Sequence, residues 1–389
     1  MKSILFSPLH YYVDLAGGAE AAKASKILKI AASRYQVFAY AGFIKDSLPP
    51  RVFTNSGRST FERPLNSWQR LVFMWRCYQW SLKIIKDHQI DLVHHLAPFS
   101  LDYNFNFLPL LAQIKETPFI VGPVQLARPS SDYVKNAHLY LPLSRIFSRK
   151  TLSNCRLVIA INHQTKSFIK EILPDSGVEV IPTSVDTSIF YPKKSPADNQ
   201  KKTFDIVFVG RFVALKRVNF LIEIFKRLAV ALPDWPLRLH LVGQGELEEE
   251  IRRKVESFGP KISSQVVFHG QLDSLGIAEL FRNCEIFLTV SRSESFSQAL
   301  AEAMACGLCC LSTSNFGALD LLNNNRGILL PKAISLEEEG TVVGRVVEVI
   351  KNPNLRRSLG SRASDYVNLF LSDDYVRHQY LNLYQSLIG

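Results

Sequence analysis

Residues 286–305 read IFLTVSRSESFSQALAEAMA, an apolar run from Ile286 to Val290, a polar bridge, and then a segment rich in alanine and leucine. A run this short and this apolar suits a strand buried on both faces, and Ser295 followed three residues later by Gln298 fits a capping box that opens a helix. Such strand-to-helix junctions are where open α/β sheets bind ligands. The early helical N–H groups, around Phe296 to Gln298, lack intrahelical partners and attract an anion such as a phosphate. Glu294 falls just before the expected helix and Glu302 about two turns inside it. Two carboxylates would repel a phosphate, so hydroxyl groups suit them better, one from a sugar and one from a ribose. The cations that a diphosphate needs must come from another segment.

Residues 206–216, IVFVGRFVALK, supply them. An apolar strand ends at Gly210, where the absence of a side chain lets a ligand approach the backbone, and Arg211 and Lys216 follow at once. At this point the chain resembles glycosyltransferase family 4, the retaining nucleotide-sugar transferases of the GT-B fold. The likeness runs through VGRFVALKR (209–217), LVGQGELEEEI (241–251), VVFHGQL (266–272), the paired glutamates and GILLP (327–331). It implies an α/β chain of two Rossmann-like parallel-sheet domains facing across a cleft. It also implies roles: Arg211 and Lys216 on the donor diphosphate, Glu294 on the transferred sugar, Glu302 on the ribose, and backbone from Ser295 through Phe296 and Ser297 to Gln298 on sugar and phosphate. Gly210 and Gly243 complete the expected donor site. The chain departs from the family pattern at Ser295 and Ser297, where glycines are usual, and at Phe316-Gly317 and Asp320, where a glycine pair precedes a glutamate.

The N-terminal half carries three weaker signatures. Gly17-Gly18-Ala19-Glu20 lies between a first strand and a helix near Ala21, and the family has a similar loop facing the donor. DLVHHL (91–96) places His94 and His95 at the end of a strand, and Gly122-Pro123 ends another. Family members carry a histidine at the first of these positions, near the transferred sugar. Strand alternation sends the two imidazoles to opposite faces, so only one of them is expected at the site. A structural histidine is the competing reading.

A length of 389 residues suits two buried cores, and 47% hydrophobic with 21% charged residues is an ordinary globular balance. Strand-like and helical stretches alternate in both halves. The expected division is 1–190 for an acceptor domain, 191–371 for a donor domain, and a C-terminal helix of about 372–389 returning to the first. No apolar run reaches the ~18 residues of a spanning helix, and MKSILFSPLH reads as a first strand, so a cytoplasmic location is the default expectation. The six cysteines, including Cys306 and Cys309 in a C-x-x-C, read as small core residues because no second cysteine or histidine pair accompanies them. No Asp-x-Asp is present, so the carboxylate clamp for a diphosphate-bound metal is missing and no metal or cofactor is expected.

Charge divides the halves. Residues 1–190 hold 22 Lys and Arg against 13 Asp and Glu, a net of +9, while 191–389 hold 24 against 22, a net of +2. An anionic acceptor or an anionic membrane surface follows for the first half. Trp68 to Lys86 carries three of the four tryptophans with Arg70, Arg76, Lys83 and Lys86, a composition that suits a lipid headgroup boundary and equally a helix packed on the sheet. Tyr140 to Lys150 is a second interfacial candidate. The reading is a metal-independent, retaining transfer from a nucleoside-diphosphate sugar, UDP first, to a glycan, glycolipid or lipid-linked acceptor in cell-surface polysaccharide synthesis. A catalytically silent GT-B protein is one alternative. A basic nucleic-acid-binding protein is the other, and no recognition motif supports nucleic acid as a partner.

Overall fold

The computed structural model describes the chain apart from residues 14–18, 45–46, 56–66, 97–98, 101–105, 112–116, 126–145, 194–202 and 333–335. The chain forms two units, Met1–Thr183 with Asp374–Gly389, and Ser184–Asp373.

In the N-terminal unit the strands are β1 (Ser3–Val13), β2 (Gln36–Ile44), β3 (Val52–Thr54), β4 (Leu92–His95), β5 (Phe99–Ser100), β6 (Phe119–Gln125), β7 (Leu157–Ala160) and β8 (Val178–Val180). They lie parallel in the order β3-β2-β1-β4-β6-β7-β8, with β5 on β6. Helices α1 (Ala19–Ala32), α2 (Ser67–Asp87), α3 (Phe107–Leu111), α4 (146–153) and α5 (His163–Ile172) connect them. Alternation divides the core: Ile4, Phe6 and Leu92 pack on one face of the sheet, Leu5 and Val93 on the other. Both faces are covered, which is why the strands read as continuous apolar runs. Gly122-Pro123 does not end its strand. β6 continues to Gln125 through a register shift between Val121 and Val124, and Gly122 has a φ of +139° that only glycine adopts easily.

The C-terminal unit contains β9 (Phe204–Val209), β10 (Leu237–Val242), β11 (Val266–Gly270), β12 (Ile286–Thr289), β13 (Cys309–Thr313) and β14 (Ile328–Leu330), all parallel in the order β11-β10-β9-β12-β13-β14. Its helices are α6 (Val218–Ala231), α7 (Glu248–Glu256), α8 (Pro260–Ser263), α9 (Ser274–Asn283), α10 (Gln298–Ala305), α11 (Phe316–Leu322), α12 (Leu336–Lys351) and α13 (Pro353–Phe370). Ile206 and Phe208 face a core with α6 and α12, while Val207 faces one with α9, α10 and α13. The order is that of a doubly wound sheet, and it reverses between β9 and β12.

Finally α14 (Asp373–Ile388) packs in the N-terminal unit, burying Val376, Tyr380, Leu381 and Tyr384 against Ile4, Phe6 and Leu9. The segment from Ser184 to Phe190 belongs to the C-terminal unit: the Val185 N–H donates to the Leu371 carbonyl at 2.7 Å, and Phe190 packs on Phe281. The first division therefore falls at 183/184, seven residues before the boundary expected from sequence.

Candidate functional site

The site of the C-terminal unit lies at the carboxyl ends of β9 and β12. β9 runs into Gly210 and Arg211, then a single 3-10 turn from Ala214 to Lys216, then α6. β12 runs into Ser291 to Ser297, then α10. The two loops meet where the strand order reverses. Lys216 Nζ donates to Glu294 Oε1, with both side chains largely buried. The Arg292 N–H donates to the Leu215 carbonyl at 3.0 Å, and the Glu294 carbonyl accepts from the Gly317 N–H at 2.9 Å. A Cβ on Gly317 would sit 3.0 Å from Phe296 Cα, so glycine there lets α11 press on the loop. Gly317 thus contributes as a scaffold, through its closeness to residues 294–297.

The helix that follows starts later than the sequence suggests. Its N-cap is Ser297, whose hydroxyl makes no capping bond, and the first intrahelical bond runs from the Ala301 N–H to the Ser297 carbonyl. The expected capping box at Ser295 does not form because Gln298 turns the other way: Nε2 donates to the Ser184 carbonyl at 3.2 Å and to Glu302 Oε1 at 3.0 Å. Ser295 is buried. The N–H groups that precede the ladder are those of Gln298, Ala299 and Leu300 rather than Phe296 to Gln298. Glu302 sits about one turn inside α10, not two, on the same end of the helix as those groups.

Glycines tie the neighbouring loops together. Gly243 has a φ of +129°, and a Cβ there would lie 2.0 Å from the Gly210 carbonyl oxygen. The Gly210 N–H donates to the Val242 carbonyl at 3.0 Å, and the Gly243 N–H to the Gly270 carbonyl at 2.7 Å. Gly243 therefore sets the position of Gly210 and the Arg211 loop, and any side chain would force the two apart.

Two cations escaped the sequence reading. Arg217 is a non-glycine residue at φ +54°, the left-handed region, and serves as N-cap of α6 without a side-chain capping bond. Its guanidinium lies 4.7 Å from the centroid of the Phe220 ring. Burial, followed by the like charge of Arg292, draws its pKa below the ordinary arginine value. Among the described residues, Arg211, Arg217 and Arg292 make no ion pair with a carboxylate. The signal was present in Lys216-Arg217 and in Arg292 two residues before Glu294, but spacing alone does not show that two loops touch.

The N-terminal candidates behave differently. Gly17 and Gly18 lie outside the described residues. His94 and His95 end β4 and point to opposite faces, as alternation requires. His94 is fully buried: Nε2 donates to the Gly122 carbonyl at 3.0 Å, which leaves Nδ1 to accept from the Tyr384 hydroxyl at 3.0 Å. Burial pulls its pKa down to about 4, against the opposing Gly122 bond. His95 Nδ1 accepts from Asn106 Nδ2 at 2.9 Å, and burial with the adjacent His94 takes its pKa to about 3. Both are neutral core histidines in this conformation, and the expected catalytic role finds no ring nitrogen of His94 turned outward. Glu20, the last residue of the Gly17-Gly18-Ala19-Glu20 signature, lies at the start of α1, where it pairs with Lys23 at 2.8 Å and accepts from Gln125 Nε2 at 2.5 Å.

Among the described residues no three His, Cys, Asp or Glu side chains converge as a metal site would need. Cys306 and Cys309 are buried free thiols, each pushed up to about 12 by burial.

N-acetyl-alpha-D-glucosaminyl L-malate synthase of Bacillus anthracis is 24% identical over 241 residues, which cover 60% of each chain. The chain thus spans about three-fifths of the length of that relative. Sucrose-phosphate synthase from Thermosynechococcus elongatus has the same fold at a TM-score of 0.70 and 18% identity, with 100% of this chain and 99% of that one covered. The Anabaena HepE protein in complex with UDP and glucose gives a TM-score of 0.64 at 17% identity, covering 99% and 100%. Residues 191–366 match the family described as glycosyl transferases group 1, and residues 16–189 match the family described as Glycosyltransferase Family 4. Between them these two matches take in nearly the whole chain, which therefore belongs to the family-4 glycosyltransferases of the GT-B fold.

Proposed function

We propose that this protein transfers a sugar from a nucleoside-diphosphate sugar, UDP-linked in the first instance, to a hydroxyl of a glycan, glycolipid or lipid-linked acceptor, with retention at the anomeric carbon and without a metal. The observation that carries the reading is the Lys216–Glu294 pair at the point where the strand order of the C-terminal unit reverses, with Glu302 one turn along α10. Lys216 and Arg211 hold the diphosphate, Glu302 accepts from ribose hydroxyls, and Glu294 accepts from a hydroxyl of the transferred sugar. As the bond from the anomeric carbon to the diphosphate oxygen breaks, the electron pair leaves with the nucleoside diphosphate. The acceptor oxygen bonds to the anomeric carbon from the same face and its proton passes to the departing phosphate. Charge grows on that phosphate in the transition state, and fixed cations placed there act where stabilisation is most effective.

UDP is favoured because a protein of the same fold binds UDP with glucose. An acceptor with negative charge fits the net +9 of residues 1–190 and the malate in the name of the Bacillus relative. The setting we infer is cell-surface polysaccharide synthesis at the cytoplasmic side of a membrane. No described helix is long and apolar enough to cross one.

A thermal-shift screen of UDP-, GDP- and ADP-sugars tests the donor. A ligand that binds only the folded state adds about 2.7 kcal/mol of stability at a hundred times its Kd. A rise in Tm with UDP-sugars alone, followed by release of UDP on adding acceptor, is the expected result. Equal indifference to all three donors would overturn the reading.

A further inference from the structure

Of the 17 large hydrophobic residues exposed among the described ones, seven lie on three helices of the N-terminal unit, α2, α3 and α4. On α2, Trp68, Leu71, Trp75 and Leu82 follow a helical stripe directed outward, with Trp68 70% exposed. The opposite face of the same helix is buried: Phe73, Met74 and Cys77 form a cluster with Tyr40, and the Ser81 hydroxyl meets that of Ser7 at 2.7 Å. The core is thus satisfied without the tryptophans of the outer stripe. α3 adjoins this helix through Phe107, whose ring stands edge-on to Trp75 at 5.5 Å, and exposes Leu111 at its end. α4 adjoins α3, with the Asn154 amide donating to the Pro109 carbonyl at 3.0 Å and Asn106 N–H donating to Thr151 Oγ1 at 3.2 Å. It exposes Ile146, 60% accessible, and Phe147.

The charge around this surface is one-sided. The three helices carry six Lys and Arg and a single acid, Asp87, and the cations Arg76, Lys83, Lys86, Arg149 and Lys150 are all exposed. Outward tryptophan and leucine with a basic rim match the boundary of an anionic bilayer, where indole rings rest at headgroup level and each nearby Lys or Arg adds attraction. A second copy of the chain is disfavoured as the occupant, because an isologous pairing would set two basic rims against each other.

We propose that α2, α3 and α4 form a docking face for an anionic lipid surface, lodging Trp68, Trp75 and Ile146 at the headgroup boundary. The proposal rests on the transferase reading only in supplying a reason to reach a lipid-linked acceptor, and its test uses no donor or acceptor.

The full-length protein is sedimented with phosphatidylcholine vesicles and with vesicles that also contain phosphatidylglycerol. It is expected to bind the anionic vesicles preferentially, to be released by salt above the physiological range, where the Debye length falls below about 8 Å, and to show a blue shift of tryptophan emission on binding. Trp68→Ser/Trp75→Ser, at exposed positions, is expected to reduce binding at least tenfold. Arg76→Gln/Lys83→Gln/Lys86→Gln is expected to reduce it on the order of a hundredfold at low salt, about fivefold for each cation. Both variants are expected to keep the wild-type Tm and circular-dichroism spectrum, which shows that they fold. Equal binding to neutral and anionic vesicles, no binding to either, or unaltered binding by both variants would overturn the proposal. Concentration-dependent dimers lost in the Trp68→Ser/Trp75→Ser variant would overturn it in favour of a second copy.

Discussion

Lys216 and Glu294 come from different loops, 78 residues apart in sequence, and form an ion pair where β9 and β12 deliver their carboxyl ends side by side. The lysine is held by a carboxylate, and among the described residues Arg211, Arg217 and Arg292 are not. In the proposed reaction a diphosphate would offer the ammonium a second anionic partner, and a sugar hydroxyl would offer the carboxylate a second donor. On the proposed reading the pair fixes both groups in position and presents both to the substrate.

Replacing either member tests this. Lys216→Ala is expected to lower kcat by roughly a hundredfold or more while raising donor Kd far less, because the leaving phosphate gains charge only as the bond breaks. Each single variant also leaves a partly buried charge without its partner, so Lys216→Met and Glu294→Gln should each melt lower than the double variant. Steady-state kinetics with isothermal titration, and a double-mutant cycle on Tm, give the answer. Additive Tm losses with unchanged kcat would remove the pair from the site.

Glu302 is expected to act on ground-state binding. Its carboxylate is oriented by Gln298 at 3.0 Å in the first turns of α10, and on the proposed reading it accepts from a ribose hydroxyl. A hydrogen bond to a charged group is worth about 1.5–3 kcal/mol, so Glu302→Ala should raise donor Kd by roughly tenfold to a hundredfold with kcat at saturation little altered. Gln298→Ala should show a smaller rise. Titration of the nucleoside diphosphate alone against both variants measures it.

How far the sequence carried depended on the range of the interaction. Parallel strands were readable from short apolar runs such as Ile286 to Val290 alternating with helical stretches, because a strand buried on both faces carries apolar side chains on both. Gly210, Arg211, Lys216, Glu294 and Glu302 were readable as candidates because each follows a strand end or sits early in a helix, and the structure brings Lys216 and Glu294 into contact. The start of α10 was misread, since Gln298 bonds to Ser184, more than a hundred residues away, and no local pattern contains that contact. The histidines were read correctly as to face, with a structural and a catalytic role both open; the partner that gives His94 its structural contacts, Tyr384, lies 290 residues further along on α14, beyond any local pattern. Arg217 was passed over because left-handed backbone at a non-glycine residue leaves no mark in composition. The tryptophan helix packs on the sheet through one face, as one of its two readings required, and turns Trp68 and Trp75 outward on the other.

Arg217 offers a separation of strain from function. A left-handed residue other than glycine costs roughly 1–2 kcal/mol, and glycine would remove that cost while adding unfolded-state entropy of about 0.5–1 kcal/mol. Arg217→Gly is therefore expected to change global stability by less than about 1 kcal/mol, read from urea unfolding. If the arginine serves the anion held beside Lys216, the same variant should weaken nucleoside-diphosphate binding several-fold and flatten its dependence on salt. Unchanged affinity and salt dependence would leave Arg217 as a surface cation with a strained backbone.

His94 and His95 predict a pH dependence that belongs to folding rather than to turnover. Burial holds both imidazoles neutral, with pKa values of about 4 and about 3, whereas the unfolded chain titrates near 6.5. Between pH 6.5 and about 4 the unfolded chain binds protons that the folded chain refuses. The stability linked to the two neutral rings is therefore fully present above pH 6.5 and lost as the pH falls through that window, with a limiting slope of about 1.4 kcal/mol per pH unit for each histidine. Wild-type unfolding followed from pH 7.5 to 5 is expected to show this decline. His95→Gln should remove one histidine's share of the slope, and His94→Gln the other, whatever each costs at pH 7.5. Donor turnover by wild type between pH 7 and 8 should show no step assignable to either ring. A slope that both glutamine variants leave intact would mean that the imidazoles are already charged in the folded protein, and would return His94 to consideration as a proton carrier.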